Sequence, residues 1–176
     1  ALGIDTPDSG VLLDDMRFAD GDTIPSGRFI QPRVEAELAF VLRRDLKGPK
    51  LNIWDVQEAT ACVVPALEIL DTRVIRSDAK TGAQRNVIDT IADNAANAGI
   101  VIGGRPCKPQ DLDLRWCGAI VSRNGKVEET GLAAGVLNHP AMGLCWLAQV
   151  LDRRGQTLRA GDIVLSGSFI RPVETA

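Results

Sequence analysis

The run Val63-Val64-Pro65-Ala66-Leu67-Glu68-Ile69-Leu70 sets one carboxylate among aliphatic neighbours on both sides. Ala66–Asp71 reads as a buried strand, and a carboxylate buried in such a strand is costly unless it is paired or bound to a metal. The chain must therefore fold so that positive charge reaches Glu68. Two partners stay open from the residues alone: an arginine, with Arg73 nearby in sequence, or a divalent cation. A second acidic pattern bears on the choice. Glu35 and Glu37 lie two apart in Arg33–Leu42, a strand by its alternation and its Val and Phe content, so both project from one face. A solvated strand face is the ordinary setting for such a pair, because Glu is rarely buried unpaired. Like charges at adjacent same-face positions nevertheless repel unless a cation lies between them. Glu35, Glu37 and Glu68 together would suit a hard cation, Mg2+ or Mn2+, that keeps positions open for water and substrate.

Composition closes off several classes of function. The 176 residues are 45% hydrophobic and 24% charged, an ordinary globular balance that predicts one domain over 1–176. Net charge −3 and a pI near 5.2 argue against nucleic acid as partner, since that binding needs a basic surface. No apolar run approaches the ~20 residues of a membrane helix. A single histidine, His139, rules out a multi-His metal site, and the absence of Tyr rules out a tyrosine acid within this span. Cys62, Cys107, Cys117 and Cys145 form no C-x-x-C pair and read as reduced thiols of a cytoplasmic protein. Ala1-Leu2-Gly3 and the last residues, which directly follow a strand-like run, do not read as domain boundaries. The expectation is the central and C-terminal portion of a longer chain.

Along the sequence, Thr6-Pro7-Asp8-Ser9-Gly10 predicts a turn and Val11-Leu12-Leu13 a short strand. Asn52 caps a helix from Ile53 through Val63 that Pro65 ends. Arg76–Asn86 is a long polar loop, Ile88–Ala98 a small-residue helix and Gly99–Ile102 a strand. Leu114–Ser122 and Lys126–Thr130 form a hairpin about Asn124-Gly125. Pro140 opens a helix that runs to about Arg154 and stops at Gly155, and Ile163–Leu165 is a strand. Strands follow one another through turns, so the class is α+β.

Other residues invite weaker readings. Asp71 and Arg73 follow Glu68 at spacings that would let them support it. Ser166-Gly167-Ser168 follows a strand, where amides and hydroxyls can bind a carboxylate, although a plain turn has the same pattern. It does not fit a G-x-S-x-G nucleophile elbow, and Gly103-Gly104 lacks the G-K-[ST] of a phosphate loop. His139 reads as a helix-entry residue, and Asp93-Asn94 as helix surface.

Gln31-Pro32-Arg33-Val34-Glu35-Ala36-Glu37-Leu38-Ala39-Phe40, Val64-Pro65-Ala66-Leu67-Glu68, Asp89-Thr90-Ile91-Ala92-Asp93-Asn94-Ala95 and Gly161-Asp162-Ile163-Val164-Leu165-Ser166-Gly167 occur in this order. The set resembles the fumarylacetoacetate hydrolase superfamily, and within it the hydratase/decarboxylase branch of aromatic meta-cleavage catabolism. The likeness runs through essentially the whole chain. It implies a mixed β-roll, a barrel-like sheet with short helices, and Mg2+ or Mn2+ held by Glu35, Glu37 and Glu68. It also implies a catalytic aspartate at Asp8, which the residues alone present as a turn. Asp93 and Ser166 are the substrate-binding candidates, and Arg76 and Arg85 the candidates for a second substrate carboxylate.

The activity implied is metal-dependent hydration of a 2-oxo/2-hydroxy-dienoic diacid to a 4-hydroxy-2-oxo acid. The alternatives are a 4-oxalocrotonate-type decarboxylase of the same family and a non-catalytic partner subunit. A homo-oligomer, also able to pair with a sister decarboxylase, is the assembly the resemblance implies. The family places a catalytic lysine and a closing strand outside the span 1–176, in keeping with a portion of a longer chain.

Overall fold

A computed structural model describes residues 7–175; Ala1-Leu2-Gly3, Thr6 and Ala176, on which part of the sequence reading fell, lie outside the described residues. The centre of the fold is an antiparallel pair, β2 (Arg33–Leu42) against β3 (Thr60–Leu70), each long and apolar on alternate positions. β4 (Asn97–Ile102) pairs antiparallel with β3, and β1 (Arg17–Ala19) pairs parallel with β4. On the other side of β2 lie β7 (Ile163–Leu165) and β8 (Val173–Glu174), both antiparallel to it. The sheet order is β1-β4-β3-β2-β7, a mixed half-barrel, with β5 (Gly118–Arg123) and β6 (Lys126–Leu132) as a separate hairpin. The expected α+β class with a mixed, barrel-like sheet is what forms.

Alternation divides the sheet into two unlike faces. Leu38, Phe40, Leu42 and Val63 pack against α1 (Ile53–Ala59) and α3 (Ala141–Asp152) through Val56, Leu144, Cys145 and Ala148. Phe40 is fully buried there, and truncating such a residue typically costs about 3–5 kcal/mol. The opposite face carries smaller residues, Ala39, Val64, Ala66 and Ile100, with Leu12, Ile163 and Leu165 against them. Glu35, Glu37 and Glu68 belong to this second face.

Several local expectations are corrected. α1 stops at Ala59 rather than running through Val63, because Thr60, Val63 and Val64 favour a strand and find partners on β2. Pro65 accordingly sits inside β3. Leu38, opposite it, turns its carbonyl to Ser166 N–H, so that pair exchanges no hydrogen bond and the missing proline donor is not required there. The predicted helix Ile88–Ala98 is only α2 (Val87–Ala92), capped by Asn86 and Asp89. Asn94, Ala95 and Ala96 then take left-handed φ of 55°, 55° and 62°, and β4 begins at Asn97. Val11-Leu12-Leu13 is irregular rather than a strand, and Leu114–Trp116 is a 3-10 turn capped by Asp113 before β5 begins. The Asn124-Gly125 turn, α3 and β7 form as the sequence predicts.

Candidate metal centre

The β2–β3 register sets Glu35 directly opposite Glu68 and Glu37 opposite Ala66. Residues opposed in a ladder share a face, so strand alternation and register together bring the three carboxylates onto one patch. One oxygen from each lies within 4.8 Å of the others. Glu37 is 3% exposed, and Glu35 and Glu68 are half-buried.

Two neutral donors reach the cluster. Gly167 N–H donates to Glu37 Oε2 at 2.7 Å, and Asn97 Nδ2 donates to Glu68 Oε1 at 2.7 Å. Among the described residues, no arginine or lysine forms an ion pair with any of the three glutamates. Arg73, the arginine considered for Glu68, is bound to Asp93 instead: Nε donates to Oδ1 at 2.6 Å and the Arg73 N–H to Oδ2 at 2.8 Å.

The electrostatic consequence is large. Two like charges within 4.8 Å repel by about 3 kcal/mol at the effective dielectric of a protein site, more than a surface ion pair returns. Burial, then repulsion from Glu68 and Asp8, raises the Glu35 carboxyl from 4.5 to about 7, with Arg33 opposing. Burial first, and Glu68 second, drives Glu37 well above its ordinary value. Burial raises Glu68 as well, against the bonds from Asn97 and Glu37. A proton relieves such a site at low pH and a divalent cation at neutral pH. All-oxygen ligands without His or Cys fit Mg2+ or Mn2+ rather than zinc.

Asp8 lies close enough for its charge to raise both Glu35 and Glu68. Nothing in Pro7-Asp8 announces this, because the approach depends on the path of Pro7–Leu13 over the sheet. Ser166 is 5% exposed, its N–H on Leu38 O and its Oγ 3.5 Å from Gly167 O, which places it beside the Glu37 contact. Asp93 stands outside the cluster. Burial opposes its ionisation, but Arg73 holds its carboxyl below the ordinary value. Asp71, 4% exposed, receives Ile30 N–H at 3.0 Å and Gln31 N–H at 2.8 Å and so fixes the entry to β2. Arg85 Nη1 turns to Val74 O at 3.5 Å, and its buried Nε has no hydrogen-bond partner. His139 Nδ1 accepts Ala141 N–H at 3.1 Å at the entry to α3, the helix-entry part expected of it.

The Ser166-Gly167-Ser168 amides are candidates for binding a carboxylate by sequence, and Gly167 N–H binds that of Glu37; sequence reasoning did not single out Asn97, which is 29 residues from Glu68. A cleft of about 560 Å3 is walled by Leu38, Pro65, Leu67, Val101 and β5 residues, with Glu37 also at its lining. Those sheet residues alternate with the glutamates and face the hairpin. All four cysteines are free, and burial holds the Cys145 thiol up at about 11, far from a thiolate nucleophile. Among the described residues, no helix is long and apolar enough to cross a membrane.

The fold is shared with known proteins. The chain is 58% identical over 170 residues to the 2-oxo-hept-4-ene-1,7-dioate hydratase of Escherichia coli, covering 97% of this chain and 64% of that protein. It is 43% identical to a 2-keto-4-pentenoate hydratase of Paraburkholderia xenovorans, covering 96% and 60%. The structure superposes with a TM-score of 0.90 on 4-oxalocrotonate decarboxylase from Pseudomonas putida G7, complexed with magnesium and adipate, at 32% identity, covering 99% and 64%. The chain therefore spans less than two thirds of the length of these relatives. Residues 11–172 match the C-terminal domain of fumarylacetoacetate (FAA) hydrolase, and the chain belongs to that family.

Proposed function

We propose that this chain carries the metal-binding part of a cytoplasmic, homo-oligomeric hydratase acting on a small α-keto diacid. The reaction adds water to a 2-oxo/2-hydroxy-dienoic diacid and yields a 4-hydroxy-2-oxo acid. The observation that carries this reading is the largely buried Glu35–Glu37–Glu68 cluster, which among the described residues forms no ion pair with an arginine or lysine. The likeness to the Escherichia coli hydratase, at 58% identity against 32% for the decarboxylase structure, supports hydration over loss of CO2.

Glu35, Glu37 and Glu68 would hold Mg2+ or Mn2+. When bound, that ion supplies Lewis-acid polarisation of the substrate's carboxylate and 2-oxo group. Gly167 N–H and Asn97 Nδ2 fix the rotamers of Glu37 and Glu68, so the ligand oxygens are preorganised. An Asp8 carboxylate oxygen moves protons between the substrate's enol oxygen and its carbon chain. In the net reaction the enol oxygen gives up its proton, C5 gains one hydrogen, and water supplies the hydroxyl on C4 and the hydrogen on C3, so one water is consumed and no redox partner is needed. Ser166, beside the Gly167–Glu37 contact, and Asp93 would bind the substrate.

A decarboxylase remains the second reading, favoured by the TM-score of 0.90 to that enzyme. Incubating the full-length protein with 2-hydroxyhepta-2,4-dienedioate, with and without EDTA, separates the two. EDTA-sensitive formation of the 4-hydroxy-2-oxo diacid is the expected result. Release of CO2 without hydration overturns the hydratase reading, and indifference to EDTA overturns the metal reading.

A further inference from the structure

Asp8 stands on Pro7–Leu13, a stretch without regular structure that crosses the glutamate-bearing face of the sheet. An irregular strap holds an aspartate in place only if something fixes its backbone. Leu12 supplies one anchor by packing against the cluster of Ala39, Val64, Ala66 and Ile100. The other anchor is polar. Val11 N–H donates to Asn94 Oδ1 at 2.7 Å, and Asn94 Nδ2 donates back to Val11 O at 2.9 Å. One side-chain amide thus satisfies both backbone groups of Val11, as a neighbouring strand would.

The contact is close as well as bidentate. A Cβ built on Gly10 would stand 2.5 Å from Asn94 O, so the strap approaches the Asn94 backbone at a distance only glycine permits. Asn94 itself has φ 55°, a conformation that asparagine tolerates better than most residues. The same turn is tied down on both sides. Asp93 is bound to Arg73, and Asn97, three residues on, donates to Glu68. One turn therefore grips the strap that bears Asp8 and the glutamate that faces it.

We propose that Asn94 is a positioning residue, holding the Pro7–Leu13 strap so that Asp8 meets the substrate at the Glu35–Glu37–Glu68 site. The proposal rests on the reading of Asp8 as the proton-transferring group. Geometry lost at a reacting group by about 1 Å can cost on the order of 100-fold in rate, and Asn94 touches no ligand oxygen of the three glutamates.

The test uses the full-length protein and the variants Asn94→Gly, Gly10→Ala, Asp8→Asn and Asn94→Gly/Asp8→Asn. Asn94→Gly removes the amide and keeps the left-handed backbone accessible, while Gly10→Ala disturbs the same contact from the strap side. Each should lower kcat about 10- to 100-fold while Mg2+ affinity stays within about twofold. The double variant should be no slower than Asp8→Asn, because two residues acting through one step are not additive. Hydrogen exchange at the Val11 amide should accelerate in Asn94→Gly while β2 and β3 stay protected. Additive losses in the double variant, or wild-type kcat with an unprotected Val11 amide, would overturn the proposal. A wild-type protein with no hydratase activity would instead sink the proposed function, and the exchange at Val11 would still report whether Asn94 holds the strap.

Discussion

Glu35 and Glu68 face each other across the β2–β3 ladder, two carboxylates at directly opposed positions in the middle of a sheet. A pairing of like charges there is destabilising by itself, and with Glu37 adjacent it defines where a cation must act.

The first prediction concerns pH. The folded Glu35 carboxyl is raised from 4.5 to about 7, so between those values the folded protein keeps a proton that the unfolded chain has released. Stability in EDTA is then greatest below about pH 4.5 as far as this group is concerned, and falls as pH rises through 7. The loss is about 3 kcal/mol from Glu35 alone. Urea unfolding at pH 5 and pH 8 measures it, and saturating Mg2+ at pH 8 should restore most of it. Equal stability at both pH values in EDTA would contradict the electrostatic account.

Neutralising one carboxylate should have opposite effects on folding and on binding. Glu35→Gln, Glu37→Gln and Glu68→Gln each relieve repulsion, so by thermal unfolding at pH 8 the EDTA-treated variants should be more stable than the wild type by about 1–3 kcal/mol. Each should also bind Mg2+ at least tenfold more weakly by titration calorimetry. Unchanged affinity in all three would exclude the cluster as the cation site.

Asn97→Ala removes the donor that orients Glu68 while leaving all three ligands in place. Loss of such a supporting contact typically lowers metal affinity about 10- to 100-fold. Calorimetric titration with Mg2+ against the wild type gives the answer.

Gly143→Ala tests the support behind Glu37. An added Cβ would lie 2.4 Å from Ser166 O, so α3 or the Ser166-Gly167 turn must shift, and Gly167 N–H moves away from Glu37 with it. The expected cost is about 1–3 kcal/mol of stability, read from thermal unfolding, together with weaker Mg2+ binding.

What the amino-acid order determined by itself was whatever depends on neighbours along the chain. Period-two alternation put Glu35 and Glu37 on one face, the aliphatic setting of Glu68 demanded a partner, and Asn124-Gly125 and Gly155 marked their turn and stop. The family likeness added Asp8, which local reading leaves as a turn. Local propensity failed where pairing overrode it: Thr60–Val64 became strand because β2 lay beside it, and Asn94–Ala96 left the helix for a left-handed turn.

Only the tertiary structure decided which charges meet. Register set Glu68 opposite Glu35, the Asp93 carboxylate took Arg73 away from Glu68, and Asn97 and Gly167 arrived as neutral donors. These partners are far apart in sequence, so their meeting depends on strand register and loop path. No local pattern encodes those, and together they leave the three glutamates without an ion-pairing arginine or lysine among the described residues.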